Sequence, residues 1–230
     1  MLRVGLTGGL GSGKSTAAQM FRAKGAYVLS ADEIGRELMQ PGQAVYSAIV
    51  ERFGAGVVGA DGQLDRAALA RIAFGGEGEG SGRVEELNAI VHPATIARQA
   101  ELIQEIAAKD RDAVVVVESA LIFETKYGET KHGGGAGIAR RFDTVVFVKA
   151  PEGLRIARFL ERMSRGEGLS AERRDEIEAQ ALRRMARQEA ERNEGRCDYV
   201  LTNDGSLDEL RAQVDAVWPE LKKMAKGRSE

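Results

Sequence analysis

One cysteine, Cys197, is all that the 230 residues contain, so no disulfide can close within the chain. Two histidines, His92 and His132, and that one thiol cannot build a histidine–cysteine zinc site. Charge of one sign is also lacking: 33 Lys and Arg stand against 35 Asp and Glu, for a net charge of −2. That balance does not suit a nucleic-acid binder, although small anionic substrates remain compatible with it. No stretch approaches the roughly 18 apolar residues of a membrane span. The first apolar run is short and turns into a glycine-rich loop, which is not the pattern of a signal peptide. These absences predict a cytoplasmic protein with no membrane and no nucleic-acid partner, a monomer or weak homo-oligomer. The length suits one compact core with small appended subdomains.

What is present starts at the N-terminus. Gly8-Gly9-Leu10-Gly11-Ser12-Gly13-Lys14-Ser15 matches the phosphate-binding pattern G-x-x-x-x-G-K-[ST]. It follows a short apolar strand, Leu2–Leu6, and opens an apolar-periodic segment, Ser15–Phe21. Glycines let the backbone wrap a phosphate with its N–H groups turned inward, and a helix N-terminus adds positive potential. Lys14 then reaches the β- and γ-phosphates of a nucleotide, and the Ser15 hydroxyl can ligate Mg²⁺. Without Lys14 and Ser15 the same glycines would read as an ordinary turn.

Four more apolar runs read as strands: Ala26–Leu29, Ala113–Val117, Thr144–Val148 and Tyr199–Leu201. The continuous β-branched run Val114–Val117 fits a strand covered on both faces. Helical patterns between the strands predict an α/β doubly wound parallel sheet of five strands. Residues 33–105 hold no convincing core strand and read as helices broken at Pro41-Gly42, Phe53-Gly54, Asp61-Gly62 and Gly75–Gly82. That length exceeds one crossover and predicts an inserted helical subdomain. Gly133–Gly137 reads as a surface insertion. Residues 151–196 carry eleven arginines among 46 residues. They form either a solvated helix face or a lid that brings arginines onto a transferring phosphoryl group.

Ligands of open α/β sheets bind beyond the strands' C-terminal ends, where Gly8, Asp32, Glu118 and Asn203 are expected. Asp32 can accept the proton of an attacking hydroxyl, cap the following helix, or do both. Glu118 either helps hold Mg²⁺ or is a solvated strand-end acid. Asp32-Glu33-Ile34-Gly35 fits the D-x-x-G pattern of GTPases, but the guanine-reading N-K-x-D pattern is absent.

Together these residues resemble the dephospho-CoA kinase family. Val4–Thr16 resembles the family's start. Ser30-Ala31-Asp32 resembles its D-A-D element, with Ser30 in place of the first Asp; Arg36 and Pro41-Gly42 follow at the family's spacing. Asp61–Arg66 resembles D-G-x-L-x-R, and Leu87–Pro93 resembles L-N-x-I-x-H-P. Glu118–Glu124 resembles D-x-P-L-L-F-E with Glu118 for Asp and Ala120 for Pro, and Asp198–Gly205 resembles D-Y-V-I-x-N-x-G. In the lid, Arg158 and Arg162 have the spacing of the family's R-x-x-x-R-D run, Met163 replaces Asp, and Arg165 offers a rival alignment.

The resemblance implies a P-loop NTP hydrolase-like fold with a helical acceptor-binding insertion and a helical lid. Residues 1–32, 106–150 and 197–230 would form the nucleotide-binding core, 33–105 the acceptor subdomain and 151–196 the lid. It implies transfer of the γ-phosphoryl of ATP, with Mg²⁺, to the ribose 3′-hydroxyl of dephospho-CoA. Gly9, Leu10, Gly11, Ser12, Gly13, Lys14, Ser15, Thr16 and Asn203 would bind ATP. Thr7, Asp32, Arg36, His92, Glu118 and Leu121 would meet the acceptor. Ser15 and Glu118 would hold the metal, and Asp32, Lys14 and Arg158, Arg162 or Arg165 would act in catalysis. Two other readings share the phosphate loop: a kinase of another small hydroxyl metabolite, and a nucleotide-binding switch without transfer chemistry.

Overall fold

A computed structural model describes residues 1–74, 82–120, 122–123, 141–164, 170–188 and 190–227. The glycine-rich stretches 75–81 and 133–137, and the candidate residues Leu121 and Arg165, lie outside the described residues. The strands are β1 (Leu2–Thr7), β2 (Tyr27–Ser30), β3 (Val114–Glu118), β4 (Thr144–Lys149) and β5 (Tyr199–Thr202). They form one sheet in the order β2-β3-β1-β4-β5. The ladders β1–β3, β1–β4 and β4–β5 are all parallel, as the doubly wound expectation requires. Chain order switches direction on either side of β1, which opens the ligand crevice at the C-terminal end of that strand.

Burial explains the strand sequences. Val114–Val117 of the interior strand β3 are at most 1% exposed, so an unbroken β-branched run is what both covered faces demand. The edge strands are less covered, with Tyr27 and Val200 exposed. On one face Leu2, Val4 and Leu6 of β1 pack with Ala17 and Phe21 of α1 (Lys14–Ala23). Leu210, Val214 and Leu221 of the long C-terminal helix (Leu207–Gly227) complete that layer. Each of the Val, Leu and Phe side chains contributes about 1.5–3 kcal/mol on full burial. On the other face Gly5 leaves room for Ile122 and Phe142, whose side chains would lie 3.0–3.2 Å from a Cβ there.

The chain divides into two compact units, residues 1–29 with 106–230, and residues 30–105. The expected division at residue 32 falls three residues earlier, so Asp32 belongs to the second unit. Within the second unit run α2 (Ala31–Leu38), α3 (Ala44–Phe53) and α4 (Arg66–Phe74); α5 (Val84–Lys109) lies mostly within it. Val45, Ile49, Phe53, Val57 and Leu69 make its core. The turn at Asp61-Gly62 closes a Val58–Leu64 bridge, with Gly62 at φ 76°. The first unit adds α6 (Glu152–Ser164), α7 (Ala171–Gln188) and α8, the C-terminal helix already given. Phe159 of α6 packs with Ile177 and Ala181 of α7. No described helix is long and apolar enough to cross a membrane.

Candidate active site

The phosphate loop is built between β1 and α1. Gly13 takes a left-handed conformation at the head of α1, φ 96°, and donates no side chain to cap it. The first N–H groups of α1 therefore carry no side-chain cap, as an anion site needs. Lys14 Nζ donates to the carbonyls of Gly8 at 2.8 Å and Gly9 at 2.9 Å, so its ammonium is folded over the loop. Ser15 Oγ donates to Glu118 Oε1 at 2.6 Å. The hydroxyl and the carboxylate, a pair of hard oxygen ligands, thus meet beside the loop, which fits Mg²⁺. Thr7 is buried at the end of β1, and Thr16 is half-buried in the first turn of α1.

Asn203 follows β5 and is 4% exposed. Its Nδ2 donates to the Ser12 carbonyl at 2.8 Å, while its own N–H donates to the Lys149 carbonyl at 2.8 Å. The side chain expected to bind nucleotide therefore holds the phosphate loop itself. Arg158 of α6 donates to the Asn203 backbone carbonyl at 3.1 Å and to Oδ1 at 3.4 Å. Arg162, one turn further on, is exposed, with its guanidinium 5.3 Å from the Phe159 ring centroid. A cavity of 330 Å³ adjoins the loop, bordered by Gly9, Ser12, Lys149, Arg155, Glu194 and Asp204. Lys149 and Glu194 pair across it at 2.8 Å. The Ser12 hydroxyl, in the loop wall, is buried without a hydrogen-bond partner.

In the second unit, α2 begins at the end of β2. Ser30 Oγ accepts from the Glu33 N–H at 3.3 Å, so Ser30 is the helix cap. That corrects the reading of Asp32 as the cap: Asp32 sits in the first turn, exposed, where the helix dipole favours a carboxylate. Arg36 lies one turn later, also exposed, while Ile34 and Gly35 face inward. His92 is half-buried in α5, just before Pro93.

Cys197 is half-buried and its Sγ donates to the Asn193 carbonyl at 3.3 Å. Burial, with the Asp198 charge second, pushes the thiol up to about 12, so it stays protonated at neutral pH. The residue that sequence reasoning missed is Arg155, which is 4% exposed and donates from Nε to the Leu10 carbonyl at 3.0 Å. Its signal was the spacing of Arg155, Arg158 and Arg162, which places three arginines along one helix face.

A parallel five-stranded sheet, a phosphate loop at its switch point and an arginine-bearing helix after β4 define a P-loop kinase fold. The family model described as dephospho-CoA kinase matches residues 2–209. A dephospho-CoA kinase of Symbiobacterium thermophilum is 40% identical, over 94% of this chain and 79% of its own. One of Thermobifida fusca is 36% identical over 99% of this chain and 100% of its own. A crystal structure from Thermus thermophilus matches with a TM-score of 0.65 at 31% identity, covering 96% of this chain and 97% of its own. The chain belongs to the dephospho-CoA kinase family.

Proposed function

We propose that this chain transfers the γ-phosphoryl group of ATP to the ribose 3′-hydroxyl of dephospho-CoA, giving coenzyme A and ADP. The observation that carries the reading is the assembled donor site: Lys14 folded over the loop and Ser15 paired with Glu118 at 2.6 Å. The loop from Gly9 to Thr16 holds the triphosphate through backbone N–H groups. Lys14 offsets charge on the transferring phosphoryl. Ser15 and Glu118 would hold Mg²⁺, which would supply charge neutralisation for the nucleotide phosphates.

Asp32 takes the proton of the attacking hydroxyl at its carboxylate. Being exposed, it has room for an acceptor without displacing packed side chains. Arg36 and His92, with Thr7 and Leu121, are the residues assigned to recognition of the acceptor. Of the two described candidates, Arg158 and Arg162, Arg162 is assigned to the moving phosphoryl, since Arg158 is engaged with Asn203; Arg165 remains the rival assignment. Lid closure excludes water and limits ATP hydrolysis. The enzyme acts in the cytoplasm as a monomer or weak homo-oligomer; a single cysteine suits a reducing compartment.

Coenzyme A formation from ATP and Mg²⁺, with and without dephospho-CoA, tests this reading. Product that depends on the acceptor is expected. ATP binding without coenzyme A formation, or faster turnover with another hydroxyl metabolite, would replace it.

A further inference from the structure

Arginines that are 4% exposed need a reason, because a desolvated guanidinium is costly unless its donors are used. Arg155 has one in the phosphate loop. Its Nε donates to the Leu10 carbonyl at 3.0 Å. Its guanidinium also lies over Gly9: a Cβ there would stand 2.5 Å from Nη2 and 2.7 Å from Cζ. Gly9 does not have positive φ, unlike Gly11 at 73° and Gly13 at 96°. A side chain at position 9 would therefore be admitted by the backbone angle but would displace the Arg155 guanidinium. The Arg155 backbone closes on Gly11 as well, with its Cα 2.9 Å from where a Cβ would be.

Peptide geometry converts this contact into a functional one. In a trans peptide the C=O and the following N–H point in opposite directions. Holding the Leu10 carbonyl on Arg155 turns the Gly11 N–H away from Arg155. Holding the Ser12 carbonyl on Asn203 at 2.8 Å turns the Gly13 N–H in the same manner. The Gly8 and Gly9 carbonyls are taken by Lys14. A loop that binds phosphate through N–H groups needs its carbonyls held elsewhere.

We propose that Arg155 is a positioning residue for the donor site: it braces the phosphate loop through the Leu10 carbonyl and the bare Cα of Gly9, so that ATP meets a preformed ring of N–H groups. The proposal rests on the reading of this loop as the ATP site. Arg155→Met removes the donor and keeps an apolar stem. The dissociation constant of MgATP, measured without acceptor, should rise at least about tenfold, the scale of one hydrogen bond from a charged donor. The KM for dephospho-CoA should stay unchanged, and Arg155→Lys should recover part of the loss. Gly9→Ala should push the guanidinium off Leu10 and reproduce the Arg155→Met defect. The double variant should then bind ATP no worse than the weaker single.

Multiplying defects, equal losses in both substrates, or unchanged ATP binding in Arg155→Met would each overturn the brace. A wild-type chain that binds no MgATP overturns both the brace and the reading beneath it. Wild-type binding with an indifferent Arg155→Met overturns the brace alone. Thermal unfolding of each variant separates a loop defect from lost folding: Gly9→Ala leaves the helix intact and keeps the test open if Arg155→Met unfolds.

Discussion

In the unit that carries the phosphate loop, the candidate groups are already engaged with one another. Lys14 holds two loop carbonyls, Arg155 a third and Asn203 a fourth, while Ser15 rests on Glu118. In the unit of residues 30–105, Asp32 and Arg36 stand exposed on the first two turns of α2, above a core made by other helices. One unit holds its candidate groups in a fixed arrangement. The other leaves a carboxylate and a guanidinium open to solvent. Preorganised donors need no rearrangement when charge develops, which is where electrostatic catalysis is strongest.

The sharpest way to break that contrast is in the lid. Arg162→Ala should lower turnover by on the order of 10³, the scale of an arginine placed on a transferring phosphoryl. Arg158→Ala should cost about tenfold through the loosened Asn203 contact. Equal, small losses in both would remove both arginines from the transferring phosphoryl. Metal dependence comes next. Glu118→Gln keeps a hydrogen-bond acceptor for Ser15 but removes the charge, so the Mg²⁺ concentration for half-maximal rate should rise about 10- to 100-fold. An unshifted Mg²⁺ titration would make Glu118 a solvated strand end.

The smallest effect lies in the second unit's scaffold. The hydrogen bond from Arg83, and then that from Arg52, hold the Glu86 carboxyl down from 4.5 to about 2. A carboxyl with a depressed folded pKa stabilises fully above its ordinary range and loses that contribution as pH falls towards the folded value. Stability should therefore decline between pH 4.5 and 2. Glu86→Gln should flatten that slope slightly in acid titrations followed by circular dichroism. An identical slope in the variant would contradict the ion-pair account.

The five strands were legible because buried parallel strands are written as unbroken apolar runs. All five nevertheless end one residue later than the apolar pattern does, at Thr7, Ser30, Glu118, Lys149 and Thr202. The ladder carries on into polar residues, as in the pairs Leu6–Glu118 and Lys149–Thr202. These polar strand ends are where the loop residues and Glu118 gather, so hydropathy alone stops just short of the site. The cap of α2 was also written in the chain, since Ser30-Ala31-Asp32-Glu33 is an S-x-x-E capping pattern, although Asp32 is itself a residue type favoured at caps. Arg155 was not legible from composition. Its spacing with Arg158 and Arg162 marks one arginine face of α6, but which of the three turns inward shows only where the helix meets the loop.

The most direct test of the donor–acceptor division is Asp32→Asn, read twice on the same preparation. MgATP binding should match wild type, because the described hydrogen bonds of the phosphate loop all lie within the first unit, while coenzyme A formation should fall by roughly 10²–10⁴. Near-normal coenzyme A formation would contradict the account by removing the base from the second unit. Lost ATP binding would contradict it by placing Asp32 in the donor site.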